Sequence, residues 1–117
     1  MRLNEVTYSD AVPVDGYGEG FFRIGGEVYN GAVLTGAMGT SAWGGYEDRA
    51  ALLSLAGDVD VLFIGTGPEV AHIPGDLRAA LEGAGLGVET MNSPAACRTY
   101  NVLLSEGRRI ALAVLPV

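Results

Sequence analysis

Apolar residues recur at strand spacing through the first third of the chain, and alternately at strand and helix spacing after it. Gly20-Phe21-Phe22-Arg23-Ile24 and Glu27-Val28-Tyr29 flank Gly25-Gly26. A glycine pair takes positive φ without steric cost, so these two runs are expected to pair as a hairpin. Asn30-Gly31, followed by Ala32-Val33-Leu34-Thr35, reads either as a second turn or as a bulge through which the strand continues; the bulge is the expectation carried forward. Gly36 to Gly45 is Gly-rich around a lone Trp43 and reads as a loop with one anchoring aromatic. Glu47 to Ala56 reads as a helix: acidic residues open it where the macrodipole is positive, Leu52, Leu55 and Ala56 recur at helical spacing, and Gly57 closes it.

Val59-Asp60-Val61-Leu62-Phe63-Ile64 is nearly unbroken in apolar, β-branched character, which suits a strand covered on both faces and predicts the central strand. A loop from Gly65 to Gly75 follows. Leu77, Ala80, Leu81 and Ala84 then fall at i, i+3, i+4 and i+7 on a short helix that Gly83 and Gly85 weaken and end. Gly87-Val88-Glu89-Thr90 reads as the next strand, parallel to the first across the helix. Ser93 before Pro94 marks an N-cap followed by a residue with no N–H to lose. Ala96, Tyr100, Leu103 and Leu104 form the stripe of that helix, Gly107 ends it, and Arg109 to Leu115 makes a last buried strand. The pattern therefore predicts an α/β fold in a single domain, residues 1–117, with a β-rich first third followed by α-β-α-β-α-β. No internal repeat, low-complexity tract or linker divides it.

Composition narrows the classes of function. Hydrophobic residues are 49% of the chain and charged residues 18%, enough apolar side chain to offset the entropy of ordering the backbone. The net charge of -7 opposes binding to nucleic acid or to anionic lipid, both of which need Lys and Arg to replace counterions. Cys97 is the only cysteine and His72 the only histidine, so neither an internal disulfide nor a Cys/His zinc set can form, and no metal is expected. The start Met1-Arg2-Leu3-Asn4-Glu5-Val6 has no apolar signal core and is not an Arg-rich transit sequence. Nor does an apolar run of about 18 residues occur, so no membrane insertion is expected and a cytoplasmic location is.

Candidate chemistry gathers after two of the strands. Gly65-Thr66-Gly67-Pro68 follows the central strand, where small residues let an anion or nucleotide approach backbone N–H groups. A dinucleotide fingerprint would need glycine where Val70 stands, and Pro68 removes a donor, so no cofactor is expected; the plain reading is a turn that needs glycine for its backbone angles. Arg98 and Asn101, with Thr99 between them, lie on one side of the helix that starts at Ser93. A cation near that positive helix end calls for an offsetting acid: Asp60 or Glu89 of this chain, or an outside anion or acidic partner. Cys97 beside Arg98 is either a thiol of lowered pKa or a buried structural cysteine, the latter being the expectation. Trp43, Tyr46 and Tyr17 are core aromatics or partner anchors. No Ser or Cys stands in a G-x-S-x-G elbow, and nothing else forms a catalytic set, so the chain reads as a non-enzyme.

The block Glu89-Thr90-Met91-Asn92-Ser93-Pro94-Ala95-Ala96-Cys97-Arg98-Thr99-Tyr100-Asn101, continuing to Arg109, resembles a family of small domains of unknown function. That family includes the mitochondrial respiratory complex I assembly factor three and an adipogenesis-associated protein with an MTH-like domain. Gly20-Phe21, Tyr29-Asn30-Gly31, Trp43 and Gly65-Thr66-Gly67 are similar to the same pattern, so the resemblance spans nearly the whole chain. It implies a mixed central sheet flanked by helices, and an interaction or assembly factor linked to respiratory complex I. With no catalytic set in the chain, the surface around Gly65 to Gly67 and Arg98 to Asn101 is then expected to receive a protein partner's acidic or extended segment. The alternative from another class is a binder of small anions, or a weak enzyme, using the same cleft with Glu89 or Asp60 as acid or base. A homodimer through Ile24, Val28 and Val33 is left open beside their burial in the core.

Overall fold

The computed structural model describes residues 11–117. Residues 1–6, read above for the missing signal core, lie outside that range. Strands β1 (Val14–Gly18), β2 (Phe21–Ile24) and β3 (Glu27–Asn30) form an antiparallel three-stranded sheet in that order. The larger sheet is mixed, with the order β5-β4-β8-β6-β7, and consists of β4 (Val33–Gly36), β5 (Gly39–Ala42), β6 (Val61–Gly65), β7 (Gly87–Met91) and β8 (Ile110–Val114). β6 runs parallel to both β7 and β8, whereas β4 is antiparallel to β5 and β8. Three α-helices complete the described fold: α1 (Arg49–Leu53), α2 (Gly75–Gly83) and α3 (Ser93–Ser105).

Alternation along the inner strands builds two cores. Leu62 and Ile64 of β6, with Ala111 and Ala113 of β8, face Leu52, Leu77, Leu81 and Trp43. Phe63, Ile110, Leu112 and Val114 face the other way, onto Ala96, Cys97 and Tyr100 of α3 and onto Val14, Phe22 and Ile24 of the small sheet. The five-stranded sheet is thus covered on both faces, as the unbroken apolar runs of β6 and β8 require. Helices α1 and α2 cover one face; α3 and the three-stranded sheet cover the other.

Several expectations change in the structure. The Gly25-Gly26 hairpin forms with φ of 59° and 85°, as read. Asn30-Gly31 is not a bulge in a continuing strand: the chain leaves one sheet and enters the other, because Glu27–Asn30 is mostly exposed while Val33–Gly36 is wholly buried. Gly31 takes φ 86° at this crossing and its N–H donates to the Gly20 carbonyl at 2.9 Å. Gly36 to Gly45 holds strand β5, which Ala37-Met38 turns back against β4. The helix over Glu47 to Ala56 is shorter than expected. Gly45–Glu47 is a 3₁₀ turn, and the Asp48 carboxylate, accepting from the Gly44 N–H at 3.1 Å, marks the boundary before α1. β6 is interior and buried, but the middle of the sheet is β8.

Two contacts fix the periphery. The Asn101 side chain accepts from the Val14 N–H and donates to the Val14 carbonyl, both at 2.9 Å, so a helix amide pairs with β1 as a neighbouring strand would. At the outer edge, the Arg78 guanidinium donates to the Val88 carbonyl of β7 at 3.4 Å. A charged side chain on the otherwise unpaired outer edge of a strand discourages pairing with another chain.

Candidate functional site

β6 and β7 are neighbours whose carboxyl ends lead to opposite faces of the sheet, β6 toward α2 and β7 into α3. In open α/β sheets such a switch point leaves a crevice in which ligands bind. Gly65, Thr66 and Gly67 stand there beside the start of α3.

The crevice is closed by the protein itself. Ser93 is fully buried, and its hydroxyl accepts from the Gly67 N–H at 2.9 Å while donating to the Leu115 carbonyl at 2.6 Å. The Ser93 N–H donates to the Gly67 carbonyl at 2.7 Å, and Leu115 N–H to the Gly65 carbonyl at 2.9 Å. The cap of α3 is Asn92, one residue earlier than expected: its side chain accepts from the Ala95 N–H at 2.7 Å, its carbonyl accepts from the Ala96 N–H at 2.9 Å, and Pro94 occupies the second helical position. Both Asn and Ser favour caps, and only the geometry separates them; Asn92 caps from outside, leaving Ser93 free to brace the loop.

Thr66 is likewise engaged. Its N–H donates to the Met91 carbonyl at 2.9 Å, and its hydroxyl donates to the Glu69 carbonyl at 2.7 Å while accepting from the Ala71 N–H at 3.1 Å. The first turn of α3 and the N–H groups of Thr66 and Gly67 therefore have partners inside the chain, in the positions an anion would otherwise fill. Ser93→Ala would leave a buried N–H and a carbonyl unmatched. We expect it to cost about 2 kcal/mol with the fold retained, read as a lowered urea midpoint at unchanged slope.

Gly65 is needed for close approach. A Cβ there would lie 2.7 Å from the Ser93 hydroxyl oxygen and from Val114 Cγ1, and 2.8 Å from Ser93 Cα. Gly67 serves a different purpose, taking φ 102°.

On α3 the expected trio divides. Asn101 is occupied by the Val14 backbone, whereas Arg98 is exposed and Thr99 partly so. The expected bridge from Arg98 to Asp60 or Glu89 does not form, and among the described residues no ion pair reaches Arg98. Asp60 pairs with Arg109 instead, at 2.7 Å, because both flank the amino ends of neighbouring strands β6 and β8, far from the helix start. The hydrogen bond to Arg109 holds the Asp60 carboxyl below its ordinary range. Periodicity gives a residue's face but not which strands become neighbours, so this pair had no signal in the sequence.

Cys97 is the buried structural cysteine of the main expectation; burial pushes its thiol up to about 11, outweighing the nearby charge of Arg98. Trp43 is core, edge-on to Tyr46 at 6.0 Å, while Tyr17 is 43% exposed beside Phe22. Ile24 and Val33 are buried in the core, leaving only Val28 of that trio exposed. Among the described residues no cluster of His, Cys, Asp and Glu could hold a metal, and no helix is long and apolar enough to cross a membrane.

Comparison with known proteins matches the fold and the pattern of residues. The chain is 48% identical over its full length to an uncharacterised protein of Rhodobacter capsulatus, 94% of which is covered. It is 26% identical, over 99% of its length, to the rat NADH dehydrogenase [ubiquinone] 1 alpha subcomplex assembly factor 3, of which it spans 66%. The crystal structure of an outer membrane protein from Bartonella henselae superposes with a TM-score of 0.84 at 34% identity, covering 92% of this chain and 96% of that one. Residues 14–115, from the first strand of the small sheet to the residue that follows β8, match one family throughout, and the chain belongs to the proteins of unknown function grouped as DUF498/DUF598.

Proposed function

We propose that this protein is a non-enzymatic interaction module that assists assembly of a respiratory NADH dehydrogenase, engaging an acidic or extended segment of its partner through the α3 surface at Arg98 and Thr99, beside the Gly65-Thr66-Gly67 loop. The observation that carries this reading is the contrast within the candidate set. The backbone donors at the switch point are consumed internally, whereas Arg98 is exposed and has no ion pair among the described residues. Val102, one turn further along α3, is 57% exposed and adds an apolar contact to that surface. In this reading Asn101 and Gly65 hold the surface in shape instead of touching the partner. Similarity to an assembly factor of NADH dehydrogenase supports the choice of partner class.

The test compares wild type with Arg98→Ala in affinity purification from cells that express the protein natively. Arg98 is exposed and forms no ion pair among the described residues, so the variant should keep its stability to within about 0.5 kcal/mol. We expect a partner recovered with wild type to be lost or reduced with the variant. Deletion should lower the amount of assembled NADH dehydrogenase; an unaltered level would remove the respiratory part of the proposal.

A further inference from the structure

The chain crosses from the small sheet to the larger one through Asn30-Gly31, a dipeptide with covalent chemistry of its own. The carboxamide carbon of an asparagine can be attacked by the next peptide nitrogen, and a following glycine favours this because it has no Cβ to hinder the approach and adopts many backbone angles. Asn4, Asn92 and Asn101 precede Glu5, Ser93 and Val102, whose side chains crowd that nitrogen. Asn30 precedes glycine and is exposed, so water reaches it.

The native fold holds the reacting atoms apart. Asn30 is the last residue of β3 and pairs with Phe21 of β2. Strand backbone, with ψ near roughly +135°, turns the next nitrogen away from a residue's own carboxamide carbon. Gly31 takes φ 86° and its N–H is engaged by the Gly20 carbonyl at 2.9 Å. Just beyond it, the Ala32 carbonyl accepts from the Trp43 N–H at 3.0 Å. The link is thus fastened before, at and after the glycine, and attack requires that both the Phe21 pairing and the Gly20 bond be released.

We propose that Asn30 is a deamidation site gated by opening of this crossing, so that the fold protects it and each opening exposes it. In the opened chain the Gly31 nitrogen loses its proton to hydroxide and bonds to Asn30 Cγ. The Cγ–Nδ2 bond breaks, and ammonia leaves with a proton from water. Water then opens the resulting succinimide at either carbonyl, giving aspartate or isoaspartate, so the net change is ammonia exchanged for water and no further reagent is needed. The isoaspartyl product routes the backbone through Cβ and inserts an extra atom between two fastened points. The link then cannot keep both its register with Phe21 and the Gly31 bond to Gly20, and the modified crossing is weaker than the original.

Mass spectrometry of the full-length protein, incubated near neutral pH and then cut at arginine, tests this. The fragment covering residues 24–49 contains Asn30 as its only carboxamide side chain, so amide-to-acid conversion there has a single source. We expect conversion in native buffer to be more than about tenfold slower than in urea above the unfolding transition, and to rise with urea below the transition in parallel with hydrogen exchange at the Gly31 amide. Equal rates in the folded and unfolded chain, or native conversion that does not follow Gly31 exchange, would overturn the gating. Absence of conversion in the unfolded chain would overturn the site itself. The purified isoaspartyl protein should unfold at a lower urea midpoint than Asn30→Asp, which carries the same new charge on a backbone of normal length; equal midpoints would overturn the weakening of the crossing.

Discussion

Gly65→Ala should be among the most damaging single substitutions in the chain, costing about 3 kcal/mol or more and lowering the melting midpoint by roughly 12–20 °C. Its φ is not positive, so the cost does not come from backbone strain. It comes from space. The added methyl would meet the Ser93 hydroxyl, the Val114 side chain and, at 2.8 Å, the Ser93 backbone. Side chains can rotate aside, but Ser93 Cα belongs to the first turn of α3 and can yield only if the helix moves away from β6. That movement would also break the hydrogen bonds from Ser93 to Gly67 and Leu115. Thermal unfolding followed by far-UV circular dichroism measures the effect; a midpoint within a few degrees of wild type would mean that the helix start is far more yielding than its contacts imply.

The second large effect is alkaline. Cys97 and Tyr100 lie one turn apart on the buried side of α3, with exposures of 3% and 0%. Burial pushes the Cys97 thiol up to about 11 from 9.0, and the Tyr100 hydroxyl up to about 12 from 10.0, the latter against a weaker opposing influence of Thr35. Each folded pKa lies above its unfolded value, so between the two values the folded state holds the proton more often. Stability is then complete below about pH 9, declines through the folded values and is lost by about pH 12, by about 2–3 kcal/mol for each group at ~1.4 kcal/mol per pKa unit. Urea midpoints measured from pH 7 to 11.5 should fall accordingly, and Cys97→Ala with Tyr100→Phe should flatten most of the slope. Tyr100→Phe carries its own signature at neutral pH. Among the described residues the Tyr100 hydroxyl is buried without a hydrogen bond of good geometry, the Thr35 hydroxyl that lies toward it being engaged with Thr40 at 2.6 Å, so its removal should be neutral or slightly stabilising. A pH slope that survives both substitutions would assign the alkaline loss to other groups.

What could be read from the chain depended on whether a residue's local pattern or its distant neighbours decided its fate. The Gly25-Gly26 hairpin, the buried run of β6, the stripe of α2 and the extent of α3 all follow from local spacing and turn chemistry, and all are present. β5 was missed because Gly39-Thr40-Ser41-Ala42 has no large apolar residue; it is a strand because β4 offers a partner, and its exposed edge position asks for no apolar face. The sheet change at Gly31 was hidden because a strand leaving one sheet and a bulged strand carry the same glycine signal. At the candidate site, the small residues after β6 and the helix start at 93 were legible, but their mutual engagement was not. Ser93 looked like a cap, and only the juxtaposition of three chain segments makes it the brace that occupies Gly67. Arg98 was singled out as calling for an offsetting acid, and neither of its nominated carboxylates forms an ion pair with it.

The strand order bears on how the chain is made. β8 sits in the middle of the larger sheet, with β4 and β5 on one side and β6 and β7 on the other, yet it is the last of them in sequence. A nascent chain on the ribosome can therefore form two separate strand pairs, and neither has its neighbour until residues 110–114 emerge. Until that moment the inner edges of β4 and β6 stand open, and the small sheet lacks the Ile110, Leu112 and Val114 surface on which it packs. Closure of the sheet thus waits for β8, and a translation arrest shortly before Ile110 would leave a product with two unguarded edges, a natural client for chaperones and proteases.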